Sequence, residues 1–278
     1  VKGARKIHHI LKGQETSDGA GVKLRRYIGT RELMAHDPFL MLDAFYSDDP
    51  DSYLAGFPNH PHRGFETVTY LIQGKMEHND SRGNRGLLEP GGAQFMRAGS
   101  GIIHSEMPRQ ENGMMWGYQL WVNLPGRLKM SEPHYQDLQK GDIPRVQTGA
   151  YEAKILSGSL EGVTGGAKGF YEIDYFDIEV KDGQSAEIPV AADKSAFVIV
   201  VAGTGEVAGE KVVRGDLPIL TSGDSIELTG GENLRVIVVA GAPIAEPVAR
   251  YGPFVMNTAE EIQQAFEDYQ AGKFSKAS

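Results

Sequence analysis

Phe57-Pro-Asn-His60-Pro-His62-Arg-Gly64-Phe-Glu66 sets two imidazoles two residues apart, and Gly99-Ser-Gly-Ile-Ile-His104-Ser-Glu106 does the same with an imidazole and a carboxylate. Successive side chains of an extended strand alternate between its faces, so residues i and i+2 project the same way. Two such strands laid side by side aim three histidines and a carboxylate at one point. Donors of that kind suit a divalent transition metal, with positions left open for water, substrate or dioxygen. In one continuous strand His60, His62, Gly64, Glu66, Val68 and Tyr70 share a face, and Gly64 leaves room between the histidine pair and Glu66. Spacing alone leaves open whether Glu66 or Glu106 completes the set.

Around these stretches the chain reads as strands and glycine turns. Val22–Ile28 alternates apolar and basic residues, as a half-buried strand does. Asp37–Phe45 is a dense apolar run, Thr67–Ile72 is rich in β-branched and aromatic residues, and Met115–Val122 is extended and aromatic. Beyond Gly141-Asp-Ile-Pro144 the same rhythm resumes in Tyr171–Val180, Ala196–Ala202, Val207–Val213, Gly223–Leu228 and Leu234–Ala240. Thirty-five glycines in 278 residues fit many tight turns. The fold expected is all-β: two antiparallel barrels, residues 1–138 with the ligands and residues 139–278 without them. Thr258-Ala-Glu-Glu261 is a capping box, and Ile262, Ala265, Phe266 and Tyr269 follow at helical spacing. A C-terminal amphipathic helix ending near Gly272 is expected to pack across a barrel.

Composition removes several function classes. The chain has no cysteine, so disulfides, thiolate nucleophiles and iron–sulfur clusters are out. Its net charge is −9, with the acidic excess concentrated after residue 140, which repels nucleic-acid phosphates. No apolar run reaches membrane-spanning length, and the opening residues lack a signal-peptide core, so a cytoplasmic protein with no membrane partner is expected. Neither a nucleophile elbow nor a phosphate-binding P-loop is present. All eight histidines lie at or before position 134, so no histidine metal site falls in the second half. His8 and His9 are neighbours and face opposite ways, while His78 reads as a loop residue before a glycine turn and His134 as structural. Phe57, Phe65, Met96 and Trp116 are candidates to line a pocket for a planar ligand, and each is assigned to the core instead.

The glycine, His-x-His, spaced glutamate and further glycine at Gly56, His60, His62, Glu66 and Gly74 resemble the first motif of cupins, and Gly91 through His104 resembles the second. More specifically the chain resembles the pirin family. The matching residues are Asp37-Pro-Phe, His60-Pro-His-Arg-Gly-Phe-Glu-Thr-Val68, Ala98-Gly-x-Gly-Ile-x-His-x-Glu-Met-Pro108, Leu120-Trp-Val-Asn-Leu-Pro125 and Tyr251-Gly-Pro-Phe-Val-Met-Asn-Thr258. The resemblance implies a bicupin, with the metal held by His60, His62, His104 and Glu106. Glu66 becomes a nearby carboxylate that orients a ligand or Arg63, or that shares with Glu106 the role of accepting a substrate proton. It implies iron(II), although manganese, cobalt, nickel and zinc suit the same donors. The activity implied is a dioxygenase opening a flavonol such as quercetin, a small planar aromatic substrate, with dioxygen. The alternative it carries is a non-enzymatic, iron-dependent regulator binding a protein partner, either in transcriptional co-regulation or on a metabolic enzyme.

Overall fold

The computed structural model describes residues 3–274. Strands make up 53% of the described residues and helix 8%, arranged as two cupin barrels and one C-terminal helix. Each barrel pairs a seven-stranded antiparallel sheet with a four-stranded one. In the first, the large sheet runs His134–Leu138, Ala93–Arg97, Phe65–Gln73, Met115–Asn123, Phe39–Ser47, Val22–Ile28, Gln14–Asp18. Its small sheet runs Phe57–His62, Ile102–Pro108, Met76–Asp80, Arg85–Leu88. The second barrel repeats the plan, with Ser195–Ala202, Arg235–Gly241 and Ile173–Val180 central in its large sheet.

The two large sheets share a core. Phe39, Val68, Tyr70, Phe95 and Leu120 of the first pack with Tyr175, Phe197, Ile199, Ile237 and Val239 of the second. Alternate residues of the second sheet, Phe176, Val198, Val236 and Val238 among them, fill the second barrel's interior. Both faces are therefore dry, which is why 236–240 reads as an unbroken apolar run rather than an alternation. The same junction carries one charged knot. Asp177, fully buried, accepts from Arg235 (2.9 and 2.7 Å), Lys154 (3.1 Å) and, across the barrel boundary, the Tyr70 hydroxyl (2.5 Å).

Both chain ends cross over, unlike the expected split at residues 138 and 139. Strand Ile7–Leu11 pairs with Leu217–Leu220 in the second barrel's large sheet. The C-terminal hairpin Ala249–Tyr251/Phe254–Met256 returns to the first barrel, where the Val255 amide donates to the Arg63 carbonyl at 3.1 Å. Helix Ala259–Gln270 follows it, and its Thr258–Glu261 capping box forms as expected. Asp268 on that helix pairs with Arg63 at 2.9 Å, and Phe274 lies under the Arg63 guanidinium. Amphipathic spacing foretold the helix but not which barrel it covers.

Candidate metal centre

The run from His60 to Tyr70 is not one strand. Strand Phe57–His62 ends in the small sheet, and Phe65–Gln73 begins in the large one. Between them Gly64 sits at φ +91°, and a Cβ there would lie 1.9 Å from the Val255 carbonyl oxygen. That turn sends the two halves of the motif to different walls. Gly64→Ala is expected to lower stability by roughly 3 kcal/mol, from strain at positive φ plus displacement of the C-terminal hairpin. Urea denaturation checks this, and an unchanged midpoint would show that the hairpin yields freely.

The small sheet brings three histidines together, and the strand pairing shifts register between His104 and Glu106. His104 lies opposite His60 in the antiparallel pair of Ile102–Pro108 with Phe57–His62. Ring nitrogens of His60, His62 and His104 lie within 4.8 Å of one another, the one such group of metal-donor side chains found among the described residues. Their ring centroids are 4.4–5.0 Å apart. His60 Nδ1 is 2.7 Å from the Pro58 carbonyl and His62 Nδ1 is 3.3 Å from that of Pro253. A ring whose Nδ1 donates to a carbonyl presents a bare Nε2, the form a metal takes up. His104 is buried with neither ring nitrogen partnered among the described residues, so it too has a nitrogen to give. Burial first, then the neighbouring imidazoles, hold the His62 and His104 rings well below the usual histidine range. They are neutral at neutral pH, as metal ligation requires. The donor set fits a transition metal.

Glu106 is buried on the same strand as His104 but outside the three-histidine group. Its carboxylate accepts from Thr69 Oγ1 (3.1 Å) and Gln119 Nε2 (3.1 Å), two side chains of the facing large sheet. Glu66 lies elsewhere. It takes Arg97 Nε at 2.7 Å and the Tyr171 amide at 3.0 Å, on the face whose next members, Val68 and Tyr70, belong to the inter-barrel core. Burial raises its pKa, opposed by Arg97 and the Tyr171 amide. The expected role of Glu66 in taking a substrate proton is therefore corrected: the break at Gly64 turns its carboxylate to the junction between barrels. Its partner is Arg97, and Arg63 pairs with Asp268 instead.

His78 is the residue that sequence reading missed. It is no loop residue but lies within strand Met76–Asp80, directly across from Glu106, and is fully buried. Its ring stacks on Tyr135 at 4.2 Å and lies 6.2 Å from that of His104, with neither nitrogen partnered among the described residues. The available signal was alternation: Met76, His78 and Asp80 share a face. Trp121 was also passed over. It packs edge-on to His62 (5.2 Å), stacks on Phe65 (4.3 Å) and lies beneath the Arg250 guanidinium. Phe57, Phe65 and Met96 are core, as assigned, whereas Trp116 is only partly buried.

The two barrels differ in what fills them. The second is packed with valine, isoleucine and leucine. The first carries buried His62, His104, His78, Glu106, Thr67, Thr69, Gln94 and Gln119. Buried polar groups cost free energy unless they are paired or used, so such an interior marks a site rather than a filler.

A model of the pirin family matches residues 21–122, and a model of the pirin C-terminal cupin domain matches residues 175–275. This chain belongs to the pirin family. A pirin-like protein of Caulobacter vibrioides is 49% identical to it over 273 residues, 97% of this chain and 99% of that one. The crystal structure of a quercetin 2,3-dioxygenase from Acinetobacter baumannii superposes with a TM-score of 0.89 at 31% identity, covering 98% of this pirin and 99% of that chain. A bacterial pirin of Escherichia coli solved in complex with nickel(II) shares the fold, with a TM-score of 0.67 at 20% identity over 84% of this chain and 99% of its own. No helix of the described residues is long and apolar enough to cross a membrane.

Proposed function

We propose that this pirin is a metal-dependent dioxygenase that opens a flavonol such as quercetin with dioxygen. The observation that carries the reading is the convergence of three imidazoles in a polar barrel interior. Its support from relatedness is the 31% identity to a quercetin 2,3-dioxygenase over nearly the whole chain. In this reading His60, His62 and His104 hold the metal and Glu106 is its fourth ligand. Iron(II) is the proposed native metal, and manganese, cobalt, nickel and zinc suit the same nitrogen and oxygen donors. When bound, the metal supplies Lewis-acid activation of the substrate hydroxyl and the redox capacity that dioxygen chemistry needs.

The chain supplies the rest. Pro58 and Pro253 carbonyls fix two imidazoles by their Nδ1 atoms. Phe65 and Trp121, packed edge-on against His62, hold its ring in place. Glu106 takes the proton that leaves the substrate hydroxyl, and Thr69 and Gln119 hold its carboxylate ready. Glu66 has no part in this chemistry.

Two substitutions separate the carboxylates. Glu106→Gln is expected to lower metal retention about 10–100-fold, while Glu66→Gln leaves metal content intact and lowers thermal stability. Metal analysis after dialysis decides, and the opposite pattern would overturn the ligand set. For the activity, the protein is loaded anaerobically with iron(II), and dioxygen uptake is followed with flavonol loss. One dioxygen per flavonol in the wild type and neither in His62→Ala is the expected result. Metal retention without turnover would refute the enzyme reading.

A further inference from the structure

Trp116 and its neighbours line a cleft that the metal chemistry leaves unexplained. Between the barrels lies a cleft of about 890 Å³. Its first-barrel wall holds Lys23, Arg25, Tyr46 and Trp116, and its second-barrel wall holds Arg214 and Asp216. Ligand pockets favour such junctions, and this volume is in the range that small-molecule sites occupy.

The charges there run against the rest of the molecule. In a chain of net charge −9, the cleft gathers Lys12, Lys23, Arg25 and Arg214 against Glu15 and Asp216. Two of the four cations are already paired, Lys12 with Asp216 at 2.6 Å and Arg25 with Glu15 at 2.8 Å. Lys23 and Arg214 have no carboxylate partner among the described residues. Arg214 instead lies 3.6 Å above the Tyr46 ring, and Tyr46 meets Trp116 edge to face at 5.2 Å. Tyr46 is 46% exposed, so this aromatic pair is not core. The loop that carries Arg214 is pinned in place, because the Tyr27 hydroxyl donates to the Gly215 carbonyl at 2.9 Å and the Arg214 amide to that of Gly203 at 3.1 Å.

We propose that this inter-barrel cleft binds a planar aromatic anion, a ring bearing a phosphate or carboxylate, independently of the metal centre. The ring packs against Tyr46 and Trp116, and the anionic group is met by Lys23 and the Arg214 guanidinium. Because the two cations come from different barrels, the ligand bridges them.

Calorimetry on the full chain with AMP, 2,4-dihydroxybenzoate and neutral adenosine tests this, with AMP and the benzoate separating phosphate from carboxylate. At least one of the two anions is expected to bind, adenosine about tenfold or more weaker, and Arg214→Ala with Lys23→Ala to lower anion affinity by about tenfold or more. Chelator-treated protein is expected to bind the anion equally well. Both substituted residues lie at the surface, and an unchanged melting temperature confirms that the variant is folded. The proposal is overturned if neither anion binds at millimolar concentration, or if adenosine binds as tightly as AMP. It is also overturned if the double variant binds normally, or if binding disappears with the metal.

Discussion

His104→Ala is expected to remove metal binding altogether, lowering affinity by more than the roughly 10–100-fold that losing a ligand's hydrogen-bond partner costs. The reason is position. His104 faces His60 across the strand pair, and its ring centroid is 4.4 Å from His60 and 5.0 Å from His62. Without it, two imidazoles from a single strand and the proposed Glu106 carboxylate remain, and the donor that joins the two strands at the centre is gone. Stability of the metal-free protein should change little or rise, because a buried imidazole whose two nitrogens have no partner among the described residues is replaced by a methyl group. Metal content and the melting temperature of the chelated protein together check this. Normal metal content in the variant would show that the centre lies elsewhere.

The second large effect falls on stability. Asp177→Ala is expected to cost about 3–5 kcal/mol, because it strands Arg235 and Lys154 beside an unsatisfied Tyr70 hydroxyl in a dry junction. Burial opposes ionisation of Asp177, but Arg235, then Lys154 and Tyr70, outweigh it and hold the carboxyl below its ordinary value. A carboxyl with a lowered folded pKa contributes stability that is complete above its unfolded value, near pH 4, and is lost as pH falls through the folded one. Asp177→Asn should therefore lose stability at pH 7 and flatten the acid limb of the pH–stability curve. Chemical denaturation across pH 2–7 measures both, and a loss below about 1 kcal/mol at pH 7 would show that the knot does not hold the barrels together.

What could be read from the sequence depended on how far each inference had to reach. The His60/His62 and His104/Glu106 pairs needed only the two-residue period of a strand, and the small sheet brought the three histidines together. Glu66 needed a register carried through Gly64, where the backbone turns at positive φ because the Val255 carbonyl occupies the place of a side chain. Nothing near residue 64 reveals a partner 191 positions later. His78 was hidden for a different reason: Glu77, Asn79 and Asp80 make its strand look like a loop, although its alternate face is buried. The crossed chain ends were illegible too, since pairing Ile7–Leu11 with Leu217–Leu220 is a contact between distant segments and not a property of either. The apolar filling of the second barrel was plain throughout, because 236–240 and 196–201 leave no polar residue to face inward.

The most direct test of the central claim is an anaerobic spectroscopic titration of iron(II)-loaded protein with quercetin. The account predicts a shift of the flavonol absorption band that saturates at one equivalent per metal and is absent from the metal-free protein and from His104→Ala. A shift of the same size in the metal-free protein would contradict it, placing the flavonol away from the three histidines.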